Sequence, residues 1–122
     1  MLDIKALLTK LISQLKTTSE VPSITSITTG TLVEAYAVQN GKVVTLTLGV
    51  KKSTATAVNA NVFTATLETK YRPKYLVNGV GYSGASAGVL QLLNTGALNV
   101  HIVGAQLNAN TNIYISATYV IE

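Results

Sequence analysis

The sequence predicts a mainly β protein: an antiparallel sandwich or jelly-roll-like head behind one short N-terminal α-helix. Three observations predict it. Apolar residues recur at helical spacing over residues 2–16, and from Thr31 onward the period changes to two. Turn signals, Asn40-Gly41 and Asn94-Thr95-Gly96 the clearest, punctuate the second part. Between them lie about seven or eight short strands with turns about every ten residues, the pattern of a sandwich or jelly roll rather than a parallel sheet.

On this reading the chain divides into an oligomerisation helix over 1–17, a Ser/Thr-rich linker over 18–30 and a β head over 31–122. In the helix, Ile4, Leu8, Leu11 and Leu15 are spaced four, three and four apart, as on a coiled-coil seam, and Leu7 and Ile12 widen the stripe. A helix this short is not stable alone in water, so it needs a partner. The partner is either its own β head or a parallel bundle of copies. An Ile/Leu seam allows a trimer or a higher state, and two heptads do not set the number. The linker, TTSEVPSITSITTG, holds Pro22 and Gly30 and ends the helix, with room for a short strand around Ile24 to Ile27.

In the head, Leu32, Tyr36 and Val38 alternate with Val33, Ala35 and Ala37 ahead of the Asn40-Gly41 hairpin signal. The returning strand places Val44, Leu46, Leu48 and Val50 on one face and Thr45 and Thr47 on the other. Phe63, Ala65 and Leu67 form the next alternation, and Pro73 makes KYRPKY a bend or an edge. Gly79 and Gly81 open a close approach beside Val80 and Tyr82, and Gly84 to Gly88 form a flexible turn. A second hairpin joins Val89–Leu93 to Leu98–Val103. The last strand presents Ile113, Ile115, Ala117, Tyr119 and Ile121 on one face.

Composition narrows the function. Charged residues are 11% of the chain, against about 25% in an ordinary domain. Mean hydropathy is +0.37, yet no apolar run nears the roughly 18 residues that span a bilayer. Apolar surface must therefore be buried within the protein, between copies, or both, and an oligomer is expected. The net charge of +4 comes from scattered lysines and a single arginine, without the dense basic face that nucleic acid requires. There is no cysteine, hence no disulfide and no thiolate metal site. MLDIKALLTKLISQLK lacks a signal-peptide pattern, as expected of a protein made and assembled in the cytoplasm.

Catalytic groups are few. The head contains one histidine, His101, which reads as a satisfied strand residue or a ligand contact. Glu34 and Glu68 are the only carboxylates placed to pair as in a glycosidase, and they read more simply as solvated strand residues. Asp3 and Glu20 fall outside the head. No phosphate-binding, dinucleotide or nucleophile-elbow motif occurs, and no metal or cofactor is expected. A non-enzymatic binding and assembly module is the expectation. For a ligand, the cluster Tyr71, Arg72, Lys74 and Tyr75 combines stacking surfaces with cationic donors near an edge, and His101 is a further candidate. A plain proline-kinked surface turn accounts for the same cluster.

TATLETKYRPKY looks like the strand-then-YRP segment of head domains in small phage and prophage baseplate or tail-fibre proteins of Gram-positive bacteria. VLQLLNTGALNVHIVG and the final IYISATYVIE resemble their closing hairpin and last strand. Together these cover about half of the chain. The resemblance implies a virion protein, a homotrimer with bundled helices and β heads around a threefold axis, docked to other tail proteins. Some relatives bind host cell-surface saccharides through such heads, and others only build the baseplate. The absence of Trp and the scarcity of acids depart from the saccharide binders. The remaining readings are a purely structural trimeric cap and a lectin-like monomer.

Overall fold

A computed structural model describes residues 3–15 and 17–121, with the backbone alone for 12–15. The helix α1 spans Ile4–Leu15, and nine strands follow among the described residues. They are β1 (Thr17–Glu20), β2 (Ile24–Thr29), β3 (Thr31–Asn40), β4 (Val43–Lys51) and β5 (Asn61–Leu67), then β6 (Val77–Ser83), β7 (Ser86–Leu92), β8 (Ala97–Gly104) and β9 (Ile113–Val120). A single 3-10 turn over Thr69–Tyr71 separates β5 from β6. The protein is thus mainly β, as the change of period predicts.

All nine strands form one antiparallel sheet in the order β1-β3-β4-β9-β6-β7-β8-β5-β2. Its two edge strands, β1 and β2, are neighbours in sequence. Glu20 and Ile24 cannot lie further apart than the roughly 14 Å that four extended residues reach. The sheet must therefore curl until its edges meet at that end. β7 packs on β9 and β5 on β4 across the interior, which makes the curled sheet two-layered.

Alternation fills the space between the layers. Val44, Leu46, Leu48 and Val50 of β4 and Ile113, Ile115, Ala117 and Tyr119 of β9 are buried, as their period of two dictates. Phe63, Leu67, Leu90, Leu92, Val100 and Ile102 meet them from the other layer. Outward, hydroxyls pair across strands: Thr45 with Thr118 at 2.9 Å and Thr47 with Ser116 at 2.9 Å. The hairpins form where the turn signals stand, with loop residues Gly41–Lys42 between β3 and β4 and Asn94–Gly96 between β7 and β8. The flexible turn expected over Gly84 to Gly88 is shorter: Ser86 already opens β7, paired with Ser83.

The sheet folds over at β6. β6 and β9 share the pair Val80 and Ser116. A Cβ on Gly81 would lie 1.7 Å from the Tyr114 carbonyl oxygen, and one on Gly79 would lie 2.5 Å from that of Ser116. The inward positions 79 and 81 of β6 are therefore glycines because β9's backbone occupies the place of their side chains. Val80 and Tyr82 point out and are exposed.

One expectation needs correction. The linker over 18–30 is largely strand: Ile24–Thr29 contains the short strand expected around Ile24 to Ile27, while Thr17–Glu20 is a further one, and as the two sheet edges they raise the strand number to nine. The exposed Ser/Thr composition of Thr17–Glu20 hides it, because an edge strand carries no continuous apolar face. Among the described residues of the single chain, no coiled coil is seen. No strand packs extensively on α1, and Ile4, Leu7, Leu8 and Leu11 are each at least half exposed. The Leu15 side chain lies outside the described residues. Asp3 starts the helix as its N-cap, with Oδ1 accepting from the Ala6 amide at 3.2 Å and its carbonyl from Leu7 at 3.1 Å.

Replacing Gly81 by Ala should destabilise the protein by at least about 2 kcal/mol in chemical denaturation, since backbone must move. Replacing Gly84 by Ala, where a Cβ meets nothing within 4 Å and only the φ of +58° resists, should cost roughly 1 kcal/mol. Equal effects at the two sites would contradict the corner assigned to β6.

Candidate functional site

The site is built by the segment that leaves β5. Pro73 holds Arg72 in extended backbone, φ −71° and ψ 135°, so the 3-10 turn ends at Tyr71. The Lys74 amide then donates to the Val120 carbonyl at 3.0 Å. Residues 68–74 thus cross the end of the sheet from β5 to β9. Beside them the chain between β1 and β2 passes from one edge to the other, with Pro22 buried.

Four polar contacts join the two segments. The Glu68 amide donates to the Ser23 carbonyl at 3.0 Å, and the Ser23 amide donates back to Glu68 Oε2. Glu20 Oε1 accepts from Lys70 Nζ at 2.5 Å and from the Tyr71 hydroxyl. Tyr71 is 1% exposed, and its carbonyl accepts from the buried Tyr119 hydroxyl at 2.7 Å. The hydrogen bond from Lys70, with that from Tyr71, holds the Glu20 carboxyl below the usual carboxylate range. The same bond raises Lys70. Burial first, and the Glu20 carboxylate second, push the Tyr71 phenol up, and burial raises Tyr119 strongly.

On the outer side of this junction lies an open cleft of about 450 Å³, lined by Thr69, Lys70, Arg72, Pro73, Lys74, Asn94 and Ile121. Arg72 is half-buried, and its Nε donates to the Leu67 carbonyl at 3.0 Å. The guanidinium lies against Gly96 of the β7–β8 loop, where a Cβ would stand 2.4 Å from Nε. Lys74 is exposed, with its ammonium 5.7 Å from the centre of the Tyr75 ring.

The structure brings together some of the residues expected from sequence and separates others. Arg72 and Lys74 line the cleft. Tyr75 stands beside it, 72% exposed. Tyr71 is a core residue whose ring offers no stacking face, because its hydroxyl and carbonyl serve the junction. His101 lies elsewhere, half-buried on the outer face of β8 between Val89 and Asn61. Four residues of strand separate it from Ala97, about 13 Å. Of the glutamates, Glu34 is exposed on β3, while Glu68 serves the junction. Glu20, expected outside the head, is instead part of it. Sequence reading misses Thr69, Lys70, Asn94 and Ile121 as cleft residues; for Asn94, about twenty residues separate it from Arg72 and no short-range pattern joins them.

Among the described residues, no cluster of His, Asp or Glu is placed to hold a metal ion, and no helix is long and apolar enough to cross a membrane. What the cleft offers chemically is a guanidinium held by the Leu67 carbonyl, the exposed Lys74 ammonium, the Lys70 ammonium paired with Glu20, and neutral hydrogen-bonding groups. No protein-family model matches the chain, and no curated protein matches it.

Because Glu20 is held below its ordinary 4.5, its contribution is present above that pH and fades as pH falls through the lowered folded value. Wild type should melt a few degrees higher than Glu20→Gln at pH 7, and the difference should shrink as pH is lowered below 4.5. A difference independent of pH would show that the carboxylate's charge plays no part.

Proposed function

We propose that the chain is a structural protein of a phage tail or baseplate that trimerises through α1 and carries a jelly-roll-like head able to recognise a host-surface saccharide. The observation that carries the assembly part is the exposure of Ile4, Leu7, Leu8 and Leu11 on a helix that its own sheet does not cover. Four large apolar side chains on one short helix are a costly surface in a monomer, and a bundle of copies buries them without new sequence. The low charge of the chain supports the same reading. The β head and the segments resembling tail-fibre heads support the phage assignment. The fixed cationic cleft supports recognition. Three copies on one axis would present three such clefts, so weak single contacts would add into useful avidity.

A purely structural trimeric cap without a ligand is the second reading, favoured by the departure from saccharide binders: the chain has no Trp. Self-association and partnership with other tail proteins are common to both. A glycan array, or a pull-down on host cell walls, separates them.

Mass measurement in solution tests the assembly. The wild type should be trimeric at micromolar concentration, and Leu8→Asp with Leu11→Asp should yield folded monomers. A monomeric wild type would sink the proposal, and a mutant that stays trimeric would move the association to the β heads.

A further inference from the structure

Arg72 is the chain's single arginine, and its surroundings prepare it for a ligand. Its backbone is pinned on both sides, by the Tyr119 hydroxyl on the Tyr71 carbonyl at 2.7 Å and by the Lys74 amide on Val120 at 3.0 Å. Its side chain is held by the Leu67 carbonyl and the bare face of Gly96. Nε is thereby used, and the terminal nitrogens keep their donors. Gly96 has φ +91°, and a Cβ there would also stand 2.6 Å from the Leu67 oxygen, so the loop admits the guanidinium only with glycine at this place.

Among the described residues, the charge at this cleft is not balanced. Of its three cations, Lys70 is paired with Glu20. Among the described residues, no carboxylate lies within 4.0 Å of Arg72 or Lys74. A half-buried guanidinium without a counter-charge is unfavourable in the empty protein, and an oxyanion restores the balance through paired, charge-assisted hydrogen bonds. Lys74, two residues further along the same segment, supplies a second positive charge. Thr69 and Asn94 supply neutral polar groups, and Pro73 and Ile121 an apolar floor.

We propose that the cleft formed by Arg72, Lys74, Thr69 and Asn94 binds an oxyanion, a phosphate or carboxylate group carried on a polyhydroxy ligand. The volume of about 450 Å³ exceeds what a bare phosphate fills, which leaves room for the carrier's C–H and hydroxyl groups against Pro73, Ile121 and Asn94. This deepens the recognition part of the function proposed above and is independent of its assembly part. Solution mass tests the assembly, and the titration below tests the cleft whatever the oligomer state.

The test titrates the full chain at pH 7 and low salt with inorganic phosphate, glycerol 3-phosphate, glucuronate and glucose, following the Arg72 side-chain and Asn94 amide NMR signals. Glycerol 3-phosphate or glucuronate should give saturable shifts with a dissociation constant on the order of millimolar, weakening as salt is added. Whichever of the two binds tighter names the anion's source. Arg72→Ala should weaken binding about tenfold or more. Arg72→Lys, which keeps the charge and loses the fork, should weaken it by about three- to tenfold. Melting curves check that both variants remain folded. Three results would overturn the proposal: no saturable shift, glucose binding as tightly as glucuronate, or undiminished binding by folded Arg72→Ala.

Discussion

The junction between residues 20–23 and 68–71 is the contact on which the rest of the structure depends. A nine-stranded sheet with β1 and β2 at its edges closes only if the short connection between those strands is held across the open end. The exchange of amide bonds between Ser23 and Glu68 does this, and the Glu20 carboxylate reinforces it by accepting from Lys70 and Tyr71. Backbone groups that would otherwise be unpaired at two sheet edges are partly satisfied there. The same contacts fix Tyr71, and through it Arg72. Closure of the fold and placement of the cleft therefore have one cause.

At the opposite turn of the sheet, β6 lies so close on β9 that glycine is required at 79 and 81. This reverses the usual division of labour in a strand. Small residues face in, and Val80 and Tyr82 face out. With Tyr36 and Tyr114, these give the outer surface of β3, β4, β9 and β6 an apolar and hydroxyl character with few charges. Low charge in the composition is thus located in the structure: on this sheet face and on the uncovered stripe of α1.

Much of the fold was legible because alternation is a local signal. Val44 to Val50 and Ile113 to Tyr119 declare their buried face in the residues themselves, and Asn40-Gly41 declares its hairpin. The edge strands were legible only in part. The strand around Ile24 to Ile27 was expected, whereas TTSE is exposed along its whole length, so nothing in its pattern separates strand from linker. The site was legible only in part. Arg72 and Lys74 stand out as cations around a proline, whereas Tyr71 looks like a platform and is core. Its fate depends on Glu20 and Tyr119, about fifty residues away in each direction.

The functional reading joins two devices that the structure keeps apart: a helix with an exposed apolar stripe, and a cleft whose position follows from sheet closure. Hydrogen exchange tests the closure most directly. If the junction is integral to the fold, the amides of Ser23 and Glu68 should exchange only on global unfolding, as slowly as core amides such as that of Val100 in β8. If they exchange as fast as the exposed edge residues Thr17 and Thr18 of β1, the junction opens independently and cannot be what holds the sheet closed.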